Sequence, residues 1–206
     1  MSAVLRARMG SLLMSPAAQK IDFYLDRFHV DGWGFTYVAL ALLSQPVRGA
    51  GFRIRTGGVA PGADATYQPA NNTFSFPNAG YGQTAFQRMS IIHEATHAMR
   101  DSQGRRIQTS LGPRTTTAVS DEAAAFIAGA LFHIFDTAST TAPSWATPGS
   151  IFETAHNLAV AGSGQFGYAF SPQDAKTMRD AVLAHPIYRS LRRNPRTSYS
   201  NNGVRL

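Results

Sequence analysis

Residues 93–97 read His-Glu-Ala-Thr-His. Side chains four apart lie one above the other on an α-helix, so His93 and His97 face one point only if this stretch is helical. Two imidazoles aimed at one point suit a metal ion, and such an ion needs further ligands from elsewhere in the chain. The pentad therefore demands a helix here and a second element folded against it. Glu94, beside the first histidine, is placed to act as general base on a water in the same site. The competing reading is two histidines that merely share a helix face beside an ordinary carboxylate. It is the weaker one in a chain with six His and only three Glu.

The flanking residues predict that helix. Thr84 and Gln87 have capping-box spacing, and a helix from Thr84 to Asp101 puts Ile92, Ala95 and Met99 on one apolar face. Gly104 reads as its stop signal, and Arg105 to Thr116 as a basic, turn-rich stretch.

Further helices are expected from Pro16 to about Phe28, from Thr117 or Ser120 to Phe135, from Ser150 to Ala161 and from Ser171 to Ala184. In the first of these, Ile21, Tyr24, Leu25 and Phe28 form the apolar face. Tyr37 to Leu43 is apolar and fits helix or strand equally. Gly51 to Arg55, Ala65 to Gln68 and Thr73 to Phe76 read as strands, the last two as a hairpin turning at Pro69, Asn71 and Asn72. The expected fold class is α+β: a mostly helical domain with a small mixed sheet, spanning residues 1–206, with about 190–206 as a flexible basic tail.

Glu122 is the leading third ligand. It lies in Ser120-Asp121-Glu122-Ala123-Ala124-Ala125, where small residues let a helix approach closely. An acid in a first helical turn is also favoured by the helix dipole without any metal, and Asp121 is the next candidate. Glu153 forms a capping-box pattern with Ser150 and is set aside. Asp101, one turn beyond His97, is a candidate to orient an imidazole. A donor for a developing oxyanion is sought downstream, with Tyr168 and His156 preferred over Tyr188 and His185.

With these residues in place, the chain resembles the zincin metallopeptidases of the glutamate-ligand (gluzincin, thermolysin-like) group. The likeness rests on His93 to His97 and Glu122. Its compactness is similar to that of small bacterial effector and toxin metallopeptidase domains. The resemblance implies that His93, His97 and Glu122 bind Zn²⁺, and that Glu94 passes a proton from the attacking water to the leaving amine. It also implies a sheet edge ahead of the metal helix that holds substrate as an added strand, with Thr73 to Phe76 as the candidate. The chain departs from the larger members in lacking their Asn-Glu-x-x-Ser-Asp surroundings of the third ligand.

Composition narrows the rest. With no cysteine, disulfides and thiolate metal sites are excluded. The start, MSAVLRARMGSLLMS, is a poor leader because Arg6 and Arg8 interrupt its apolar run. Ala123 to Phe135 is too short an apolar stretch to cross a bilayer. A soluble protein is expected, exported as a bacterial effector without an ordinary leader, or else cytoplasmic. Net charge is +7, almost all from arginine. That charge favours an anionic target, but no stacking-aromatic pattern of a nucleic-acid module accompanies it. The expected partners are a protein or peptide substrate and an inhibitor or immunity protein. The alternatives carried forward are a peptidoglycan amide hydrolase and a non-enzymatic basic binding module.

Overall fold

The computed structural model describes residues 3–26, 28–44, 51–59, 63–107 and 117–197, with backbone alone described over 103–107. Its centre is a helix that small side chains make possible. Helix α5, Ala118–Thr137, opens on Thr117, whose hydroxyl accepts from the Ser120 N–H. From Ala118 to Ile134 every side chain but that of Ser120 is buried. Alanines at 123–125, 128 and 130 leave room for neighbours on all sides. A Cβ added to Gly129 would stand 2.8 Å from Met89 Cγ, so α5 lies close against the helix that carries Met89. Among the described residues α5 is the one helix long and apolar enough to cross a membrane, and 89% of its apolar window is buried within this molecule.

Helix α4 runs Ala85–Ile107. The reciprocal cap is formed: the Gln87 N–H donates to Thr84 Oγ1 and the Thr84 N–H to Gln87 Oε1. The helix continues past Asp101 and through Gly104, because one interior glycine costs a helix only about 1 kcal/mol. Residues 105–107 therefore belong to α4, and residues 108–116 of the predicted basic stretch lie outside the described residues.

Around these two helices, α1 (Ala3–Leu13) buries Leu5, Met9 and Leu13, spaced four apart. Residues first read as a poor leader thus supply part of the core. Helix α2 is only Pro16–Gln19. The helix expected to reach Phe28 is instead a hairpin, β1 (Asp22–Leu25) antiparallel to β2 (Phe28–Asp31). Phe23 and Leu25, then Phe28 and Val30, alternate inward, and Asp26 takes the left-handed turn conformation with φ 55°. Helix α3 (Gly32–Leu43), capped by Asp31, resolves the ambiguous apolar run as helix.

Two small mixed sheets complete the α+β fold. In one, β1 lies between β2 and a parallel strand β6 (Tyr168–Ala169). In the other, β5 (Thr73–Phe76) is central, parallel to β3 (Arg53–Thr56) and antiparallel to β4 (Thr66–Gln68). Thr73 to Phe76 is therefore not an edge: its backbone is paired on both sides, and β4 is the strand beside α4. Helices α6 (Ile151–Gly162) and α7 (Pro172–Ala184) pack on α5, both capped as expected, by Ser150 and Ser171. The expected tail begins with structure: Arg189–Arg193 forms α8, and Leu191 is buried. Residues 198–206 lie outside the described residues.

Candidate metal centre

Helix α4 presents His93 and His97 on one face, and α5, just beyond its first turn, presents Glu122 to both. His93 Nε2 is 3.3 Å from His97 Nε2 and 3.3 Å from Glu122 Oε2, and His97 Nε2 is 3.6 Å from the same oxygen. The three side chains are 11, 10 and 7% exposed. Three donor atoms of the right chemistry converge in a nearly dry site, and this group can hold a metal ion. It is the arrangement expected of His93, His97 and Glu122.

The imidazoles are held from behind. Asp121 Oδ2 lies 2.9 Å from His97 Nδ1, which directs the other nitrogen toward the shared point. Asp121 is in turn ion-paired with buried Arg100, whose guanidinium lies over the Phe28 ring at 5.2 Å. The His93 ring meets Phe126 edge-on, with centroids 4.5 Å apart. Asp121 thus orients the His97 imidazole, and this role, expected of Asp101, belongs to it. Asp101 instead accepts from the Tyr67 hydroxyl at 2.7 Å.

Burial and charge oppose each other throughout the cluster. Burial disfavours a charge on His97, but Asp121 and Glu122 outweigh it and raise its pKa well above the usual histidine range. Burial likewise works against the Glu122 carboxylate, and the His97 and His93 imidazoles overcome it and hold its pKa well below the ordinary value. Glu94 goes the other way: burial pushes its pKa up, and the two imidazoles and the Tyr67 N–H only partly offset this. Its Oε1 is 4.0 Å from His93 Nε2, and its Oε2 accepts from the Tyr67 N–H at 2.6 Å. With its pKa raised, Glu94 can take up and release a proton at higher pH than an ordinary carboxylate.

A cleft runs over the centre. Ala65, Thr66, Tyr67 and Pro69 from β4 and its turn form one wall, and Ile187 and Tyr188 the other. An apolar recess lined by Phe86, Met89, Phe126 and Phe152 opens beside His93 and Glu94. Tyr188 donates its hydroxyl to Glu122 Oε2 at 2.7 Å. The chain end that carries it is anchored by the short helix α8.

Two expected residues are not brought here. Tyr168 lies in β6, in register with Phe23, and its ring packs on Phe170. His156 is buried in α6 with Nε2 3.0 Å from the Thr140 carbonyl. Neither lines the cleft: His156, one turn beyond Phe152 on α6, is turned to the Thr140 carbonyl, and Tyr168 belongs to the first sheet. Tyr188 lines the cleft and the recess, and His185 lines the recess. Sequence offered no signal to prefer Tyr188, since the turn after α7 decides where it points. No protein-family model, curated protein or solved structure matches the chain.

Proposed function

We propose that the chain is a zinc-dependent peptidase of the gluzincin kind, hydrolysing a peptide bond of a protein or peptide with water as nucleophile. The observation that carries this reading is the spacing of the donor atoms. Ligands on a tetrahedral zinc at the usual bond lengths stand about 3.3 Å apart, and here the three separations are 3.3, 3.3 and 3.6 Å. Two histidines and one carboxylate are a set that suits zinc and leaves a fourth position open. When bound, zinc supplies Lewis acidity toward the scissile carbonyl and lowers the pKa of water.

The chain's own residues supply the rest. Glu94 accepts a proton from the attacking water as its oxygen bonds to the carbonyl carbon. The carbon–nitrogen bond then breaks, and the proton on Glu94 passes to the leaving amine. Tyr188, at the cleft wall, is the donor for the oxygen that gains negative charge. The outer edge of β4 is the strand against which an extended substrate aligns.

The test is zinc content together with hydrolysis. The purified chain is expected to carry about one zinc per molecule by elemental mass spectrometry, and to cleave members of a fluorogenic peptide pool. Glu94→Ala is expected to keep the zinc and lose activity by about 10²–10⁴-fold. Undiminished cleavage by that variant refutes the role given to Glu94. A chain that takes up no zinc at micromolar concentration refutes the whole reading.

A further inference from the structure

Helix α4 sends two carboxylates toward β4. Glu94 and Asp101 are seven residues apart, two helical turns, and so lie on one face. A single residue meets both. The Tyr67 backbone N–H donates to Glu94 Oε2 at 2.6 Å, and the Tyr67 hydroxyl donates to Asp101 Oδ2 at 2.7 Å. Asp101 is 0% exposed and Tyr67 8%. The ring between the two contacts is gripped by Phe74 and Phe52, with centroids at 4.8 and 5.9 Å.

Asp101 also reaches the turn that leads out of β4. The Asn72 amide, turned so that its nitrogen faces acceptors, donates to Asp101 Oδ2 and to the Pro69 carbonyl, both at 3.1 Å. Asn72 stands in the left-handed conformation, with φ 53°, where the chain enters β5. A buried carboxylate is costly unless donors surround it, so both of these donors are held tightly to Asp101.

From this geometry we infer that Asp101 is a positioning residue for Glu94, acting through Tyr67. β4 is three residues long and paired on one side only. Left to itself, such an edge strand slides and tilts. The strut from Asp101 to the Tyr67 hydroxyl sets its height and register over α4. That aims the Tyr67 N–H at Glu94 and holds the carboxylate in one orientation. The inference names a supporting residue for the peptidase site proposed above, and its catalytic consequence rests on that reading.

Two variants isolate the strut. Tyr67→Phe removes only the hydroxyl, and Asp101→Asn keeps the shape of the acceptor but not its charge. The first measurement needs no catalysis: the amide resonance of residue 67 by ¹⁵N-resolved NMR, with its hydrogen-exchange rate, in wild type, both variants and Glu94→Gln. In the wild type, this short bond to a carboxylate is expected to give a downfield, slowly exchanging amide. Glu94→Gln is expected to move it upfield, and both strut variants are expected to move it the same way and exchange at least tenfold faster.

The second measurement is peptide cleavage by the zinc-loaded chain. Each variant is expected to lose about 10- to 100-fold in kcat, the effect of misplacing a catalytic group by about 1 Å, while KM and zinc content hold. An amide unmoved in Tyr67→Phe overturns the strut, even if Asp101→Asn does not fold. A moved amide with kcat unchanged overturns the positioning role. A wild type that cleaves nothing while the amide responds as expected overturns the peptidase reading and leaves the strut supported.

Discussion

At His97 two carboxylates act on one imidazole from opposite ends. Asp121 takes the Nδ1 side at 2.9 Å, and Glu122 shares the Nε2 side with His93. Asp121→Asn is expected to weaken zinc affinity by about 10- to 100-fold, as losses of such supporting groups do. Competition with a chromogenic chelator measures it, and an unchanged affinity would show that His97 needs no orienting partner. A second titratable residue sets a stability trend. Burial, then the nearby His156, hold the pKa of His133 below the ordinary histidine value. Between the two values the unfolded chain binds a proton that the folded chain does not, so stability is lost as pH falls below about 6.5. His133→Gln is expected to flatten that limb in urea melts at pH 5 to 7. At this scale the i, i+4 histidines and the neighbouring carboxylate are legible, because helical geometry alone relates them. The tasks of Asp121, Asp101 and Tyr188 were not, since each is defined by a contact between elements remote in sequence.

Helix starts are the most legible features of this sequence. Thr84 with Gln87 and Ser171 with Asp174 form both bonds of the reciprocal cap, and Ser150 accepts from the Glu153 N–H while Glu153 Oε2 takes the Gly149 N–H. Caps are local, so sequence carries them. The first hairpin is ambiguous in sequence because its apolar residues fit two periods. Ile21, Tyr24, Leu25 and Phe28 satisfy the helical one, yet Tyr24 ends 40% exposed and stacked on His29. Pairing with β6, which comes some 140 residues later, decides for strand. Packing between α3 and α4 is equally non-local. A Cβ at Gly34 would stand 2.0 Å from Sδ of Met99, so that buried side chain would have to shift. Gly34→Ala is expected to lose about 1–3 kcal/mol in chemical unfolding, a cost typical of overpacking. No loss would mean that α3 and α4 separate easily.

For the molecule as a whole, a metal at this site ties α4 to α5, the two helices around which the other elements pack. Binding to the folded chain alone adds stability by mass action, about 2.7 kcal/mol at a hundred times Kd. Zinc is therefore expected to raise the melting temperature, excess chelator to reverse the rise, and His93→Ala to abolish it. Differential scanning calorimetry reads all three, and a melting temperature indifferent to zinc would sink the site as a folded-state ligand set. By itself the sequence determined the α+β class, the caps, the motif helix and the identity of the metal-ligand candidates. These follow from periodicity, side-chain chemistry and spacing within one element. Only the tertiary structure decided that β4 and not β5 borders the site, that Asp121 backs His97, and that Tyr188 rather than Tyr168 or His156 reaches the cleft. Strand order and helix-to-helix approach are set by core packing among distant residues, such as Gly129 against Met89, and no local pattern encodes them.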